Sequence, residues 1–331
     1  MPAVRLALLL CVVAAGCSGE APEAGRQGTT PAAPRLQLPY DLAVDAEGRV
    51  YVADGLLRRI LRHDPATGET TVVAGTGKSG STGDGGPARA ATFEEPLGLA
   101  FDRDGNLYVV DFPAGRIRRI APDGTIATLA GGLDLVAAAA VDPTGRYLAA
   151  PTLGNYVRRI DLETGTVGTI AGDGTPVDAG DGGPAAEARV ESPHGADFDA
   201  EGNLYLPSAT GALRRVDAES GTIETMDATT GGVAEETFKV IAAPDGSLYL
   251  VAGSPDGGLI RRLAPDGTIE VVVGTGTIGA AADGMAATEV GVLPSDVALA
   301  PDGAILFSQS EPEPAVRRVD PETGIVSTLF R

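Results

Sequence analysis

Residues 96–111 read PLGLAFDRDGNLYVVD, and the basic stretch RIRRI follows at 116–120. Within the first stretch, two apolar runs flank a polar turn that ends in Gly105. Apolar runs on both sides of such a turn are typical of a β-hairpin. The basic stretch predicts a third strand, and TIATLAG from Thr125 predicts a fourth. The region therefore predicts a unit of four short strands joined by tight turns.

The same unit occurs six times along the chain. Its first turn ends each time in a glycine, at Gly48, Gly105, Gly145, Gly202, Gly246 and Gly303. A four-stranded unit that repeats in this way cannot bury both of its faces alone, whereas radial stacking of the units buries them. The sequence therefore predicts an all-β fold, a six-bladed β-propeller of four-stranded blades over residues 35–331. Ring closure is left open: residues 325–330 complete blade six alone, or residues 35–38 add to it.

The motif from Pro96 to Asp111, followed by Arg116 to Ile120, resembles the NHL repeat. The resemblance covers roughly residues 39–331 and implies NHL-type propeller blades, but it says much less about function, because one fold hosts many functions. The aspartate that closes the second strand of the motif recurs only as Asp54 and Asp111. In the other blades it is replaced by Pro151, Ser208, Ala252 and Gln309. These replacements indicate that the later blades have drifted.

Long connections leave blades one, three and five, which predicts a two-blade unit present three times. Two of them contain Gly-Asp-Gly-Gly-Pro-Ala, at 83–88 and 180–185, and a degraded copy lies at 283–286. Each offers one carboxylate, which is too few charged ligands to indicate a Ca²⁺ site, because Ca²⁺ binds six to eight oxygen atoms. The favoured interpretation is an aspartate that caps a short helix beginning near the proline. No cofactor is predicted, and Ca²⁺ is kept as the alternative.

The turns of a propeller sort between its two faces. First-to-second and third-to-fourth turns share one face and are short and uniform here. Second-to-third turns and the long connections share the other, which we call the loop face, and they vary as binding loops do. The innermost strands enter the central channel from the loop face and predict a cluster at its mouth, formed by Asp41, His194, Asp197, Lys239 and Asp296. This cluster is either a solvated rim with local ion pairs or a site for a small ligand or metal.

One arginine recurs at the same position of each third strand. These residues are Arg62, Arg119, Arg159, Arg215, Arg262 and Arg318. Neighbouring residues of a strand point to opposite faces of the sheet, so the arginines do not form one basic stripe. We predict that they pair between blades with carboxylates such as Asp54 and Asp111.

Composition narrows the classes of function. The formal net charge of −20 disfavours binding to nucleic acid and to anionic membrane surfaces. Tryptophan is absent and aromatic residues are 4%, which argues against an aromatic platform for sugars. The only cysteines are Cys11 and Cys17, so the predicted propeller has no disulfide, no thiolate metal site and no cysteine nucleophile.

The first residues have the pattern of a signal peptide. An apolar run, Leu6 to Val13, follows Arg5 and is too short to span about 30 Å of hydrocarbon as a helix. The next residues, AAGC at 14–17, resemble a bacterial lipobox, which implies cleavage after residue 16 and lipidation of Cys17. Residues 17–34 then form a flexible tether. Ordinary secretion and a transmembrane anchor are the alternatives to an extracytoplasmic lipoprotein held at the cell surface or in the periplasm.

These patterns predict a monomeric, non-catalytic scaffold that binds a protein, peptide or glycan through the loop face. It contacts the membrane only through its lipid. The alternative is a hydrolase or lyase that resembles gluconolactonase or strictosidine synthase, with an axial carboxylate and metal site at Asp41, Asp197 and Asp296. The three-histidine zinc site of the amidating lyases is impossible, because the chain has only His63 and His194.

Overall fold

A computed structural model describes residues 35–226 and 236–331. The predicted signal peptide, Cys17 and the tether lie outside the described residues. The described chain forms 24 strands in six four-stranded antiparallel sheets, and each sheet follows the order of the chain. Helical structure in this part is limited to three 3₁₀ turns, at Ala88–Ala90, Ala185–Glu187 and Ala287–Glu289. The predicted fold class, an all-β six-bladed propeller, is confirmed.

Each blade is one uninterrupted segment of four strands. Blade one consists of β1 (Pro39–Val44), β2 (Val50–Asp54), β3 (Arg59–Asp64) and β4 (Glu69–Ala74). Blade two consists of β5 (Pro96–Phe101), β6 (Leu107–Asp111), β7 (Arg116–Ile120) and β8 (Ile126–Ala130). Blade three consists of β9 (Ala140–Val141), β10 (Tyr147–Thr152), β11 (Tyr156–Asp161) and β12 (Val167–Ala171).

The second half of the ring has the same organisation. Blade four consists of β13 (Asp197–Phe198), β14 (Leu204–Pro207), β15 (Leu213–Val216) and β16 (Ile223–Met226). Blade five consists of β17 (Glu236–Ala242), β18 (Leu248–Ser254), β19 (Gly257–Leu263) and β20 (Ile269–Val273). Blade six consists of β21 (Leu293–Leu299), β22 (Ile305–Glu311), β23 (Ala315–Val319) and β24 (Val326–Phe330).

Alternation along the strands gives each blade two apolar faces. In blade one, Leu42 and Val52 are paired across β1 and β2 and pack towards blade six. Ala53 and Ile60 are paired across β2 and β3 and pack towards blade two. The period of two in a strand sends successive side chains to opposite faces. Every blade therefore supplies half of two separate cores, which lie between the blades.

The ring closes without exchange of a strand among the described residues. Strand β24 pairs with β23, so blade six is completed by its own residues. Leu36 instead inserts into the apolar cluster between blades one and six, where it joins Leu42 and Leu306. The open question about closure is answered in favour of a blade six built from residues 293–330, which meets blade one through apolar packing and without a shared sheet.

The blades are locked together in three pairs, as the long connections predict. Within pair one, the Gly75 amide donates to the carbonyl of Ala88, 3.0 Å away, and the same bond recurs in the other two pairs. The Ala88 amide then donates to the Gly124 carbonyl in the third-to-fourth turn of blade two (2.8 Å). In the predicted arrangement, that turn lies on the face opposite the loop face. Each long connection therefore begins beside the second-to-third turns of the loop face, as the bond from the Ile278 amide to the Asp256 carbonyl shows, and then crosses the outer edge of the blade pair.

Candidate functional site

Three charged residues of the innermost strands meet in the channel. They are Asp41 in β1, Lys239 in β17 and Asp296 in β21, and we call them the axial triad. Lys239 Nζ lies 3.0 Å from Asp41 Oδ2 and 3.2 Å from Asp296 Oδ1. All three residues are buried. The predicted convergence is therefore correct for these residues, but they do not form a solvated rim.

The two acids of the triad are held by backbone amides of the next blade. Asp296 Oδ2 accepts a hydrogen bond from the Leu42 amide (2.7 Å), and Asp41 Oδ2 accepts one from the Leu99 amide (3.3 Å). The innermost strand of a blade is a sheet edge, whose free amides need partners when they are buried. Each carboxylate supplies such a partner, and it thereby fastens its own blade to the following one.

Asp197 has the same function two residues further along its strand. Its Oδ2 accepts a hydrogen bond from the amide of Ala242 in blade five (2.8 Å). Burial raises the pKa of this carboxyl to about 6, and the charge of Asp41 adds to the rise while Lys239 opposes it. The side chain still keeps partial contact with solvent. Asp197 is thus a fourth channel acid and lies within electrostatic reach of the triad.

His194 precedes β13 and is partly buried. Its amide donates to the carbonyl of Pro207, 3.3 Å away. At the adjacent Gly195, a Cβ would lie 2.8 Å from the Phe238 carbonyl oxygen and 3.1 Å from Lys239 Cα. The inner strands of blades four and five therefore approach closely beside the triad, and Gly195 is required for that approach.

The acids outnumber the base in this cluster: the carboxyl groups are those of Asp41, Asp197 and Asp296, and the ammonium is that of Lys239. Burial raises the pKa of Asp296 well above its ordinary value, and the neighbouring charge of Asp41 raises it further. Burial opposes the charge of Lys239, yet the carboxylates of Asp296 and Asp41 together raise its pKa. Lys239 therefore stays protonated, and its ammonium lies within ion-pair distance of both acids. Within residues 35–226 and 236–331, no group of three or more metal-ligating side chains is assembled.

We predict that Asp197→Asn makes stability less dependent on pH. A carboxyl with a raised folded-state pKa stabilises the fold at low pH, and this contribution is lost as pH rises from about 4 to 6. The free energy of unfolding of the variant, relative to the parent, should therefore rise by about 2 kcal/mol across this range. Urea titrations at pH 4, 5, 6 and 7.5 measure the difference. Asp123→Asn is the control, because turn amides lower the pKa of that exposed carboxyl. A difference for Asp197→Asn that does not change with pH contradicts the assignment.

The Gly-Asp-Gly-Gly loops use their aspartates in another way than predicted. Asp84 Oδ1 lies 2.5 Å from Arg118 Nη2, and Asp181 Oδ1 lies 2.6 Å from Arg214 Nη2. The third loop repeats this contact with Asp283 and Arg317 (2.8 Å). None of the three 3₁₀ turns has a side-chain cap, so the prediction of a capping aspartate was wrong. Each loop carboxylate is instead paired with a guanidinium, which also satisfies the charge that Ca²⁺ would have met.

The buried arginines Arg118, Arg214 and Arg317 were missed by the sequence analysis, which chose their neighbours. Each is fully buried or nearly so and reaches back to the loop that enters its blade. The following arginine points to the other face and pairs within its own blade, as Arg215 does with Asp217 at 3.1 Å. Arg262 and Arg318 behave in the same way, with Asp245 and Asp302. The predicted pairing between blades was therefore assigned to the wrong member of each arginine doublet.

The motif aspartates bind backbone amides. Asp54 accepts from the amides of Gln37 (2.7 Å) and Leu57 (3.0 Å). Asp111 accepts from the Glu94 amide (2.8 Å) and from Ser81 Oγ (3.1 Å). Their predicted pairing with the recurring arginines is therefore wrong, because these carboxylates organise the chain that enters the first strand of their own blade.

In blades four and six, another hydrogen-bond acceptor compensates for the replacement of the motif aspartate. In blade two, Asp111 of the strand is bonded to Ser81 of the loop. In blade four the serine is in the strand and the aspartate is in the loop, and Ser208 Oγ donates to Asp178 at 2.6 Å. In blade six, Gln309 Oε1 accepts from Arg317 Nε at 3.2 Å. In blades four and six a hydrogen-bond acceptor is thus kept beside the buried arginine, which corrects the interpretation of these two changes as drift, whereas Pro151 and Ala252 have no side-chain acceptor.

Comparison with known proteins supports the repeat assignment. Residues 57–166 match the model of the Teneurin NHL domain. This chain is a six-bladed β-propeller, part of which is similar to the Teneurin NHL domain. Teneurin-3 of Mus musculus is 40% identical over 112 residues, which cover 30% of this chain and 4% of that protein. The chain therefore spans a small fraction of the curated relative that it matches, and the similarity concerns the propeller segment.

Solved structures share the fold at low sequence identity. Virginiamycin B lyase from Staphylococcus aureus, in a catalytically inactive histidine-to-alanine form with quinupristin, superimposes with a TM-score of 0.55 at 16% identity. The match covers 88% of this chain and 83% of the lyase. A gluconolactonase-like protein gives a TM-score of 0.56 at 16% identity over 89% of this chain and 90% of its own. These likenesses establish the architecture. In the described part of the chain, no helix has the length and apolar character to cross a membrane.

Proposed function

We propose that this NHL propeller is a non-catalytic scaffold that binds a protein or peptide through its loop face. The observation that carries the proposal is the distribution of exposed apolar side chains. Seven large apolar residues are exposed in the described chain. Four of them lie in second-to-third turns or blade-to-blade connections, namely Leu56, Leu135, Val177 and Ile278. Contiguous exposed apolar surface marks sites of protein interaction, and we propose that these four side chains contribute to such a surface.

The backbone around these side chains is tied down. The Leu135 carbonyl accepts from the Leu153 amide (2.9 Å), and the Ile278 amide donates to the Asp256 carbonyl (2.6 Å). Beside Leu56, the Leu57 amide donates to Asp54 Oδ1 (3.0 Å). Side chains on a fixed backbone lose little entropy when a partner binds, which favours affinity. A protein or peptide is favoured over a glycan, since glycan sites depend on aromatic surfaces that this composition hardly supplies.

The enzyme alternative receives less support. A hydrolase or lyase with an axial metal would use carboxylates that are free to bind the ion, but Asp41 and Asp296 are engaged by Lys239 and by backbone amides. His63 stacks on Phe330 with ring centroids 4.6 Å apart, and its Nδ1 is bonded to Thr70. One ring nitrogen and one face of the imidazole are therefore engaged in contacts within the fold. We further propose that acyl chains on Cys17 hold the scaffold, as a monomer, on the extracytoplasmic side of a membrane.

Affinity capture with the full chain tests the scaffold function. The first variant carries Leu56→Ser, Leu135→Ser, Val177→Ser and Ile278→Ser. The matched control carries Val167→Ser, Val271→Ser and Ile325→Ser, the other exposed large apolar residues. We expect the protein captured by the parent to be lost with the first variant and retained with the control. Equal capture by the two variants would refute the loop face as the binding surface.

A further inference from the structure

We infer that the loop face takes a basic amphipathic polypeptide segment, in which lysine or arginine accompanies leucine-like side chains. The inference rests on the proposed function and specifies its partner. It follows from the acidic groups that lie beside the exposed apolar residues of this face, and from the pairing of most neighbouring arginines with other groups.

An acidic residue accompanies each exposed apolar side chain. Asp134 precedes Leu135, and its side chain is 54% exposed. Asp256 is exposed and shares a backbone hydrogen bond with Ile278. Val177 lies four residues after Asp173, in the same connection. Next to Leu56, a Cβ at Gly55 would lie 3.3 Å from Glu95 Cγ. Apolar and acidic groups are therefore combined at four separate places on one face.

The basic residues near these places are largely committed elsewhere. Arg118, Arg214 and Arg317 are buried in the blade-pair contacts. Arg158 lies 3.5 Å from Asp134, and Arg189 lies 3.5 Å from Asp173. Such long pairs at the surface contribute little to stability in water, and a basic partner displaces them at little cost.

The whole molecule reinforces this local pattern. The chain has 45 acidic and 25 basic residues, which gives the net charge of −20. Such a field accelerates encounter with cationic partners and repels anionic ones. Charge alone would attract any cation to any part of the surface, whereas the exposed apolar groups of the loop face add a short-range attraction there. A segment with both characters therefore fits this face better than a purely basic or a purely apolar one.

Fluorescence anisotropy with two synthetic peptides tests the inference. One labelled peptide is an amphipathic sequence of lysine and leucine, and the other carries glutamate in place of each lysine. We expect saturable binding of the lysine peptide to the full chain, which weakens as salt increases, and at least about tenfold weaker binding of the glutamate peptide. Comparable affinity for the two peptides would overturn the inference.

Matched variants separate specific docking from general attraction. The loop-face serine variant should bind the lysine peptide at least about tenfold more weakly, whereas Val167→Ser, Val271→Ser and Ile325→Ser together should change affinity less than about twofold. Asp134→Asn with Asp256→Asn should weaken binding more than Asp123→Asn with Asp266→Asn, which removes two turn carboxylates. Equal effects of the two members of either comparison would show attraction without a site and overturn the inference.

The two proposals can fail separately. A captured partner that depends on the loop face but contacts it through an acidic segment would support the scaffold and overturn the inference about charge. Capture that does not respond to the loop-face variant would overturn both.

Discussion

Lys239→Met is expected to lower the free energy of unfolding by about 3 to 5 kcal/mol at pH 7.5, because it leaves two buried carboxyl groups without their cation. Asp41 and Asp296 face each other across Lys239 Nζ, and both are buried. Methionine keeps the length and apolar stem of the side chain, so the effect reports mainly on charge. Urea-induced unfolding of the full chain measures it.

The pH dependence of this effect has a definite sign. The ammonium of Lys239 opposes the rise in the pKa of Asp296, so this pKa rises further without it, and a protonated carboxyl tolerates burial better than a charged one. The loss of stability should therefore be smaller at pH 5 than at pH 7.5. The triple variant Asp41→Asn, Lys239→Met and Asp296→Asn is the control, because it removes all charges and should recover much of the loss. A Lys239→Met variant as stable as the parent would show that the triad does not hold the ring together.

Arg214→Met should lower the free energy of unfolding by about 3 to 5 kcal/mol, whereas Arg215→Met should lower it by less than about 1 kcal/mol. The two residues are adjacent in β15 and point to opposite faces. Arg214 is fully buried and contacts Asp178, Asp181 and the carbonyl of Arg189 (3.0 Å). Arg215 pairs with the exposed side chains of Asp217 and Glu224. Thermal and urea unfolding of both variants provide the comparison.

Lysine at position 214 offers a second check on this assignment. Its single ammonium keeps the charge but cannot reach several acceptors in one plane as a guanidinium does. Arg214→Lys should therefore recover only part of the stability that Arg214→Met loses. Arg118→Met and Arg317→Met should resemble Arg214→Met, since the same contact recurs in the other blade pairs. Equal losses for Arg214→Met and Arg215→Met would contradict the proposed difference between the two faces.

Repetition made the fold predictable from the sequence. A turn glycine such as Gly105 recurs in six equivalent copies, and the alternation around it determines which side chains are buried. Equivalence between copies also predicted that Asp41, Lys239 and Asp296 would meet, because residues at one repeat position of the innermost strands surround one axis. The amides that hold the acids were not predictable, since they depend on how closely consecutive inner strands approach.

The errors also have physical reasons. In the arginine doublet of β15, both side chains are basic, and only the direction of the pleat decides whether Arg214 or Arg215 meets the previous connection. Blade two pairs Asp111 of the strand with Ser81 of the loop, and blade four pairs Ser208 of the strand with Asp178 of the loop. The sequence does not reveal this exchange, because the two paired positions are about thirty residues apart. A single chain reveals such compensation only after the positions are seen in contact.

The closure of the ring by packing between blades one and six has a consequence for the connectivity of the chain. Leu36, Leu42 and Leu306 form this contact without an exchanged strand. New termini could therefore be introduced between two blade pairs, and a linker could join the regions of Arg35 and Arg331. This change of connectivity would divide none of the six sheets. Circular permutation at the connection between β8 and β9 should accordingly give the same propeller, with its order of synthesis changed.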